Sequence, residues 1–147
     1  MKRPFETWIL IVLLALLAIN AFYGGISLML APDGSLLKMQ PGWLDNSPFN
    51  SYFIPGLLLL LMNGVFPAVA IFGLVTKNSR WFAWLNIYKN RCWGWTFAIY
   101  SGIVTNIWII VQQLMAEYFI LQTIIAAVGL LILVAALLPR VMRYYTL

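Results

Sequence analysis

Apolar residues are concentrated in four long stretches of the chain, and more polar segments separate these stretches. The stretches cover approximately residues 7–30, 52–75, 93–116 and 117–139. Each is close to or above the roughly 20 apolar residues that a helix needs to cross a bilayer. Little of the 147-residue chain is left for anything else. The pattern predicts an all-α, polytopic membrane protein in which residues 1–147 form one domain, a bundle of four transmembrane helices.

The first stretch follows basic residues, as the apolar core of a secretory signal peptide does. Its apolar run is longer than the roughly 7–15 residues of a typical signal, and no small-residue cleavage site follows it. We therefore expect this stretch to be retained as a transmembrane helix.

Basic residues are distributed unevenly between the two sides of the predicted membrane. The connection 31–51 contains Lys38 alone, whereas the other eight of the nine basic residues share the opposite side: Lys2, Arg3, Lys77, Arg80, Lys89, Arg91, Arg140 and Arg143. Because Lys and Arg near span ends favour the cytoplasmic side, both termini are predicted to be cytoplasmic. These dispersed cations give a net charge of +5 and predict contact with anionic lipid of the bilayer, not with nucleic acid.

The residue inventory disfavours several kinds of chemistry. The chain has no histidine and a single cysteine, Cys92, so it offers no histidine ligand for haem or a catalytic metal and no pair of thiols. No charged residue lies deep in a predicted span, although proton relays and voltage sensors require such residues. We expect no cofactor, no metal and no catalytic residue, so an enzyme is disfavoured. Carboxylate chemistry through Asp33, Asp45 or Glu117 is the enzymatic alternative that stays open.

Six polar side chains fall at two depths within the predicted spans. Counted from the outer ends of the spans, three lie about 15 Å deep and three lie about 6–11 Å deep. The deeper residues are Asn20, Asn63 and Asn106, and the shallower ones are Tyr23, Gln112 and Gln122. Two interpretations are open: the groups form hydrogen bonds between helices, or they line a polar ligand-binding pocket that opens to the outer face.

Small residues repeat at helical spacing on the same faces as these polar groups. Examples are Gly25 in the first span, Gly102 in the third and Gly129 in the fourth. Small residues let membrane helices approach closely, so these faces are predicted to point into the bundle. The apolar run LLLLLM, residues 57–62, is expected to face lipid.

Proline 67 interrupts the second span. It lacks the N–H that would bond to the carbonyl of Asn63, and its ring clashes with that carbonyl. The sequence therefore predicts a helix kink between Asn63 and Pro67. A freed carbonyl in the bilayer needs a partner, so we expect water or a polar group of another span, Asn20 or Asn106, beside it.

Both long connections contain more apolar residues than a solvated loop needs. The outer connection, 31–51, contains Leu36, Leu37, Met39, Trp43 and Leu44, which predicts a lid-like segment at the membrane interface. Asp33 and Trp43 are the residues that we assign to this lid. The inner connection, 76–92, mixes aromatic and basic residues. It is predicted to form an in-plane anchoring helix, and the alternative is a docking surface for a partner subunit.

Several short motifs resemble a pattern in small bacterial four-helix membrane proteins. The motifs are Gly24–Gly25, Pro32–Asp33–Gly34, Trp43–Leu44, Ser47–Pro48–Phe49, Ile54–Pro55–Gly56, Trp108–Gln112 and Leu121–Gln122. That group is uncharacterised and is similar to DoxX-like proteins. The resemblance implies a four-helix bundle in a bacterial inner membrane and supplies no catalytic residue. Some DoxX-like proteins are linked to quinone-coupled redox chemistry, for which this chain lacks the cysteines and histidines.

Two functions are consistent with these features. The first is the binding of a small or lipidic molecule in a polar pocket formed by the six polar side chains and open to the outer face. The second is an accessory subunit or scaffold of a larger membrane complex, in which the polar helix faces serve only as packing contacts. In that case the partner is another membrane protein or a second copy of the chain.

Overall fold

The computed structural model describes residues 2–39, 41–45, 47–77, 80–115 and 120–147. Four long helices dominate these residues: Phe5–Leu30, Phe53–Thr76, Trp93–Met115 and Ile120–Leu137. We call them the first to fourth helices, and each is long and apolar enough to cross a membrane. Apart from an isolated bridge between Arg91 and Thr146, the described ranges contain no β-structure. The predicted all-α architecture, with four helices long and apolar enough to span a membrane, is confirmed. The boundary predicted between the third and fourth stretches, at 116–117, lies outside the described residues.

The four helices form a ring in which each packs against two others. The first helix contacts the second and the fourth, and the third helix contacts the same two. Gly25 meets Gly56 near one end of the first two helices, and Arg3 donates a hydrogen bond to the carbonyl of Val75 near the other. These two helices therefore run antiparallel. We call the end that carries residues 31–52 the loop end, and the end that carries both chain termini the tail end.

Glycine pairs mark the closest approaches between neighbouring helices. A Cβ on Gly25 would lie 2.8 Å from the carbonyl oxygen of Gly56, and one on Gly94 would lie 2.3 Å from the carbonyl carbon of Gly73. Between the third and fourth helices, a Cβ on Gly102 would lie 2.9 Å from the carbonyl oxygen of Gly129. The predicted inward faces of Gly25, Gly102 and Gly129 are thus where the backbones come together, as expected for helices packed in a membrane.

The second helix changes its hydrogen-bonding pattern just before Pro67. Residues Leu61–Val65 form a π-helical turn between the α-helical segments Phe53–Leu60 and Phe66–Thr76. The N–H of Phe66 donates to the carbonyl of Leu61, five residues earlier. Since proline cannot donate to the carbonyl four residues before it, a π-helical turn at this point accommodates the missing bond. The irregular part of the second helix therefore begins at Leu61, two residues before the kink predicted between Asn63 and Pro67.

The connections are built from short turns. Two 3₁₀ turns, Ser35–Leu37 and Pro41–Leu44, shape the connection at the loop end. At the tail end, the described residues 80–92 form one 3₁₀ turn, Ala83–Leu85, where an in-plane helix was predicted. That prediction was wrong, because Phe82 before this turn has a positive φ and Asn86 after it has extended backbone, so helical structure does not continue on either side.

A short C-terminal helix, Pro139–Tyr144, closes the tail end of the bundle. Its first residue is a proline, and the preceding residue, Leu138, has extended backbone, which is the arrangement that proline favours. Tyr145 directly follows this helix, and its side chain lies fully buried in the core.

Candidate functional site

A cavity of about 180 Å³ lies at the loop end, beneath the connection between the first and second helices. Three helices and this connection supply its walls: Leu28, Met39, Trp43, Leu44, Ser47, Phe49, Tyr52, Pro55, Leu58, Leu59, Trp108, Val111, Gln112 and Met115. Most of these side chains are apolar or aromatic. Such a lining favours an apolar ligand, with a few polar groups to orient it.

Helical spacing explains how two helices line this cavity. Pro55, Leu58 and Leu59 of the second helix are separated by three and four residues, so they share one face. Trp108, Val111, Gln112 and Met115 of the third helix follow the same rule. One continuous face of each of these two helices therefore lines the cavity.

Tyr52 holds the connection in place over the cavity. Its backbone N–H donates to the carbonyl of Pro32 at 2.8 Å, which joins the beginning of the connection to its end. Gly34 turns the chain with a φ of +82°, and a Cβ there would lie 2.9 Å from the ring of Tyr52. A side chain at position 34 would therefore be strained and would displace this ring. Burial also raises the pKa of the Tyr52 hydroxyl, which keeps it neutral.

A second, more open cleft of about 570 Å³ shares a wall with the cavity. Leu44, Ser47, Phe49 and Tyr52 line both, and the cleft adds five further residues: Pro32, Asp33, Asp45, Asn50 and Ser51. The carboxylate of Asp33 accepts a hydrogen bond from the backbone N–H of Ser35 at 3.0 Å, which lowers the pKa of the Asp33 carboxyl. An apolar cavity therefore lies directly beside a polar cleft that contains two acidic side chains.

The two residues assigned to the lid lie in different places. Trp43 lines the apolar cavity, as a lid residue should. Asp33 does not reach the cavity, because its side chain is exposed and caps the turn at Ser35 within the connection. It lines the polar cleft instead.

The predicted polar pocket at the depth of the asparagines does not form around Asn63. This side chain is only 1% exposed, and its Oδ1 accepts a hydrogen bond from the hydroxyl of Thr105 at 2.8 Å. Its Nδ2 has no acceptor among the described residues. The polar group of another span that lies beside the π-helical turn is therefore the hydroxyl of Thr105 in the third helix, and it bonds to the side chain of Asn63, not to its backbone carbonyl. At this position the polar side chain joins two helices.

The other two asparagines also stay away from the cavity. Asn106 is partly buried, and its Nδ2 donates to the carbonyl of Gly102 in its own helix at 2.9 Å. The Nδ2 of Asn106 also lies against Gly129 of the fourth helix, where a Cβ would be 2.7 Å from it. Asn20 is partly buried and does not line the cavity.

The three shallower polar residues have three different surroundings. Gln112 lines the cavity. Gln122 is fully buried in the fourth helix, outside the cavity lining. Tyr23 is 67% exposed on the outer surface of the bundle, so its assignment to the pocket was wrong. The first helix turns Ala21 and Gly25 inward, and a residue two positions from each on a helix points away from that face.

Sequence reasoning missed the apolar part of the site. The run LLLLLM was expected to face lipid, but Leu58 and Leu59 line the cavity, whereas Leu61 and Met62 are exposed. Trp108 and Met115 are each one helical turn from Gln112 and therefore share its face of the third helix. This spacing could have identified them as cavity residues from the sequence. Of the motifs that carry the family resemblance, four contribute cavity residues, namely Trp43–Leu44, Ser47–Pro48–Phe49, Ile54–Pro55–Gly56 and Trp108–Gln112.

Nothing in the described ranges provides a metal centre, since no three His, Cys, Asp or Glu side chains lie close enough to hold an ion. Cys92 is a buried thiol at the tail end. Burial raises its pKa, and the nearby ammonium of Lys77 opposes this only in part. Its environment is that of an inert thiol and not of a reactive thiolate.

Comparison with protein-family models, with curated proteins and with solved structures finds no match to this chain.

Proposed function

We propose that this protein is an inner-membrane protein of a bacterium that binds the apolar part of a small or lipidic molecule in the loop-end cavity. The observation that carries the proposal is a largely apolar cavity of about 180 Å³ under the connection that contains Trp43. With both termini in the cytoplasm, as the distribution of basic residues predicts, this cavity faces the outer leaflet. The ligand then enters from the outer side or from the adjacent lipid.

The size of the cavity limits what it holds. An apolar protein cavity of about 150 Å³ takes up one benzene molecule. A cavity of about 180 Å³ therefore accommodates a ring or a short segment of an alkyl chain, not a whole phospholipid. The rest of an amphipathic ligand would extend into the adjoining cleft, whose lining includes Asp33, Asp45 and Asn50. The site thus suits a molecule with an apolar end and a polar end.

Quenching of tryptophan fluorescence tests this proposal, because Trp43 and Trp108 both line the cavity. Bromoundecanol, an alkanol whose bromine quenches tryptophan, would be titrated into the protein in lipid nanodiscs. We expect saturable quenching, and we expect it to be lost in a variant in which both tryptophans are replaced by phenylalanine.

A matched pair of variants separates binding in the cavity from partitioning into lipid. Leu58→Phe adds bulk to the cavity wall, whereas Leu61→Phe adds the same bulk to an exposed position of the same helix. The first variant should weaken binding by about tenfold or more, since the ligand competes with the new ring for space. Equal quenching in the two variants, or quenching that never saturates, would refute the proposal.

The alternative of an accessory subunit is favoured by one observation at the tail end. The connection 77–92 exposes several large apolar side chains, among them Trp81 at 57%, Trp84 at 80% and Ile87 at 67%. Purification from its own host in a mild detergent distinguishes the two functions. A second polypeptide in constant ratio supports the subunit, and a single polypeptide with bound lipid supports the binding protein.

A further inference from the structure

Asn20 is a polar side chain in the middle of the first helix. It lies ten residues from Leu30, about 15 Å below the loop end of the helix. Its amide makes no hydrogen bond within the part of the chain that the structure describes. In contrast, Asn63 accepts from Thr105, and Asn106 donates to Gly102. Among the three asparagines at this depth, Asn20 alone makes no side-chain hydrogen bond at all to another described residue, whereas Asn63 uses its oxygen and Asn106 its nitrogen.

Two further polar side chains continue from Asn20 along the same face. Tyr23 and Ser27 follow at three and seven residues, the spacing of one helical stripe. Neither side chain makes a hydrogen bond to another described residue. Tyr23 is 67% exposed, and Asn20 and Ser27 are partly buried. The first helix thus presents a stripe of three polar groups, Asn20, Tyr23 and Ser27, at the outer surface of the bundle.

Lipid tails cannot satisfy these groups. In the hydrocarbon region an amide without a hydrogen-bond partner is costly, and polar side chains of membrane helices normally bond to another helix. We propose that this polar stripe is the contact through which the chain forms a homodimer, with the first helices of the two copies side by side. This inference is independent of the ligand proposed for the cavity.

The chemistry of the stripe favours a second copy over a different partner. Two copies carry the same distribution of basic residues, so they insert in the same orientation. A twofold axis normal to the membrane then places each residue opposite its equivalent at the same depth. An amide has both a donor and an acceptor, so Asn20 of one copy can satisfy Asn20 of the other in both directions. A different protein would need its own polar group at that depth.

Energy transfer between donor- and acceptor-labelled copies in lipid vesicles tests the dimer. The wild-type chain should show transfer that falls on dilution with lipid, as a reversible dimer requires. Asn20→Leu should weaken association by about tenfold or more, since two hydrogen bonds across the helices are lost. Asn106→Leu is the matched control, because it removes an amide of similar depth and burial that is bonded within its own helix. It should leave association unchanged.

Cysteine cross-linking supplies a second measurement that does not depend on the stability of the Asn20 variant. In a Cys92→Ala background, the Tyr23→Cys variant should form a disulfide between copies on oxidation. The Ile107→Cys variant should not, although Ile107 lies at a similar depth and is 53% exposed on the third helix. A wild-type chain that is monomeric at all lipid ratios would overturn the proposal. So would cross-linking at 107 but not at 23, or association that is unaffected by Asn20→Leu.

Discussion

At the tail end of the bundle, distant parts of the chain are bonded to one another. The hydroxyl of Tyr145 donates to the carbonyl of Leu74 at 2.9 Å, and the N–H of Cys92 donates to the carbonyl of Tyr145 at 2.9 Å. The indole of Trp95 donates to the carbonyl of Ala136 at 2.8 Å. These bonds connect the second, third and fourth helices with the C-terminal residues.

At the loop end, the hydrogen bonds between described residues of the connection stay within the connection and the adjoining ends of the first and second helices. Tyr52 bonds to Pro32, the N–H of Met39 bonds to the carbonyl of Gly34, and Ser47 donates to the carbonyl of Leu44. The cavity lies beneath this segment. The two ends therefore differ: hydrogen bonds fix the helices to one another at the tail end, and the loop end carries the cavity in which we propose that a ligand binds.

The largest effect is expected from a substitution at the tail-end glycine contact. In Gly94→Ala the new Cβ would lie 2.3 Å from the carbonyl carbon of Gly73, so the second and third helices must separate. We expect the free energy of unfolding to fall by about 3 kcal/mol or more. Reversible unfolding in mixed micelles measures this change.

Gly42→Ala is the control for that measurement. The nearest atom to a Cβ at position 42 would be 3.8 Å away, so the loop end has room for it. Its effect should be below about 0.5 kcal/mol. Comparable losses in the two variants would show that the close contact of Gly94 with Gly73 does not cause the effect.

A smaller loss is expected when the hydroxyl of Tyr145 is removed. Tyr145→Phe leaves the carbonyl of Leu74 without its side-chain donor in a fully buried position. The free energy of unfolding should fall by about 1–2 kcal/mol. Tyr88→Phe is the control, since the Tyr88 side chain is 41% exposed and contacts Trp95 through its ring. If both variants are equally stable, the bond to Leu74 does not hold the C-terminal residues.

Some features of the two ends could be predicted from the sequence and others could not. Length and hydropathy predict the four helices, since crossing a bilayer requires a run of a given length wherever its side chains point. The second stretch, predicted at 52–75, corresponds to Phe53–Thr76. The glycine contacts are also predictable, because small residues mark close approach at any depth.

The site was less predictable, because depth and direction are separate properties of a helical residue. Tyr23 and Asn63 were placed by depth alone, yet one faces outward and the other is buried against Thr105. The covered cavity depends on where the connection 31–52 folds back, a tertiary arrangement that its composition does not specify. Asn86 was missed for the same reason. It is only 7% exposed, and its side chain donates to the carbonyl of Arg91 in the tail-end connection and accepts from the hydroxyl of Thr96 in the third helix.

Alkaline pH should weaken the tail end. Burial raises the pKa of the Cys92 thiol and of the Tyr145 hydroxyl, so folding favours their protonated forms. An unfolded thiol ionises near pH 8.5 and an unfolded phenol near pH 10. The stability from Cys92 is therefore complete below about pH 8.5 and is lost as the pH rises further.

Unfolding of the wild type and Cys92→Ala between about pH 7 and pH 9.5 measures this contribution. The wild type should lose more stability over this range than the variant, which no longer carries the thiol. Reaction of Cys92 with a maleimide should be slow in the folded protein, because the thiol is buried and neutral. Parallel pH profiles of the two proteins, or rapid labelling of the folded wild type, would contradict the burial of the Cys92 thiol at the tail end.

The smallest effect concerns the charge of the ligand at the loop end. Asp33 and Asp45 line the cleft beside the cavity, and the lowered pKa of Asp33 keeps its carboxyl ionised at neutral pH. A bromoalkyl ammonium should therefore bind more tightly than bromoundecanol. We expect a preference of about two- to fivefold, since both carboxylates are exposed to solvent and screened.

Replacing both carboxylates, with Asp33→Asn and Asp45→Asn in one chain, should abolish this preference and leave the binding of bromoundecanol unchanged. Lys38→Gln serves as the control. Lys38 belongs to the same connection but lines neither the cavity nor the cleft, so its loss should alter neither ligand. If the double variant weakens the neutral alkanol as much as the cation, the two side chains maintain the shape of the connection. The charge of the ligand would then play no part in its recognition, and the loop end would admit any apolar chain of suitable size.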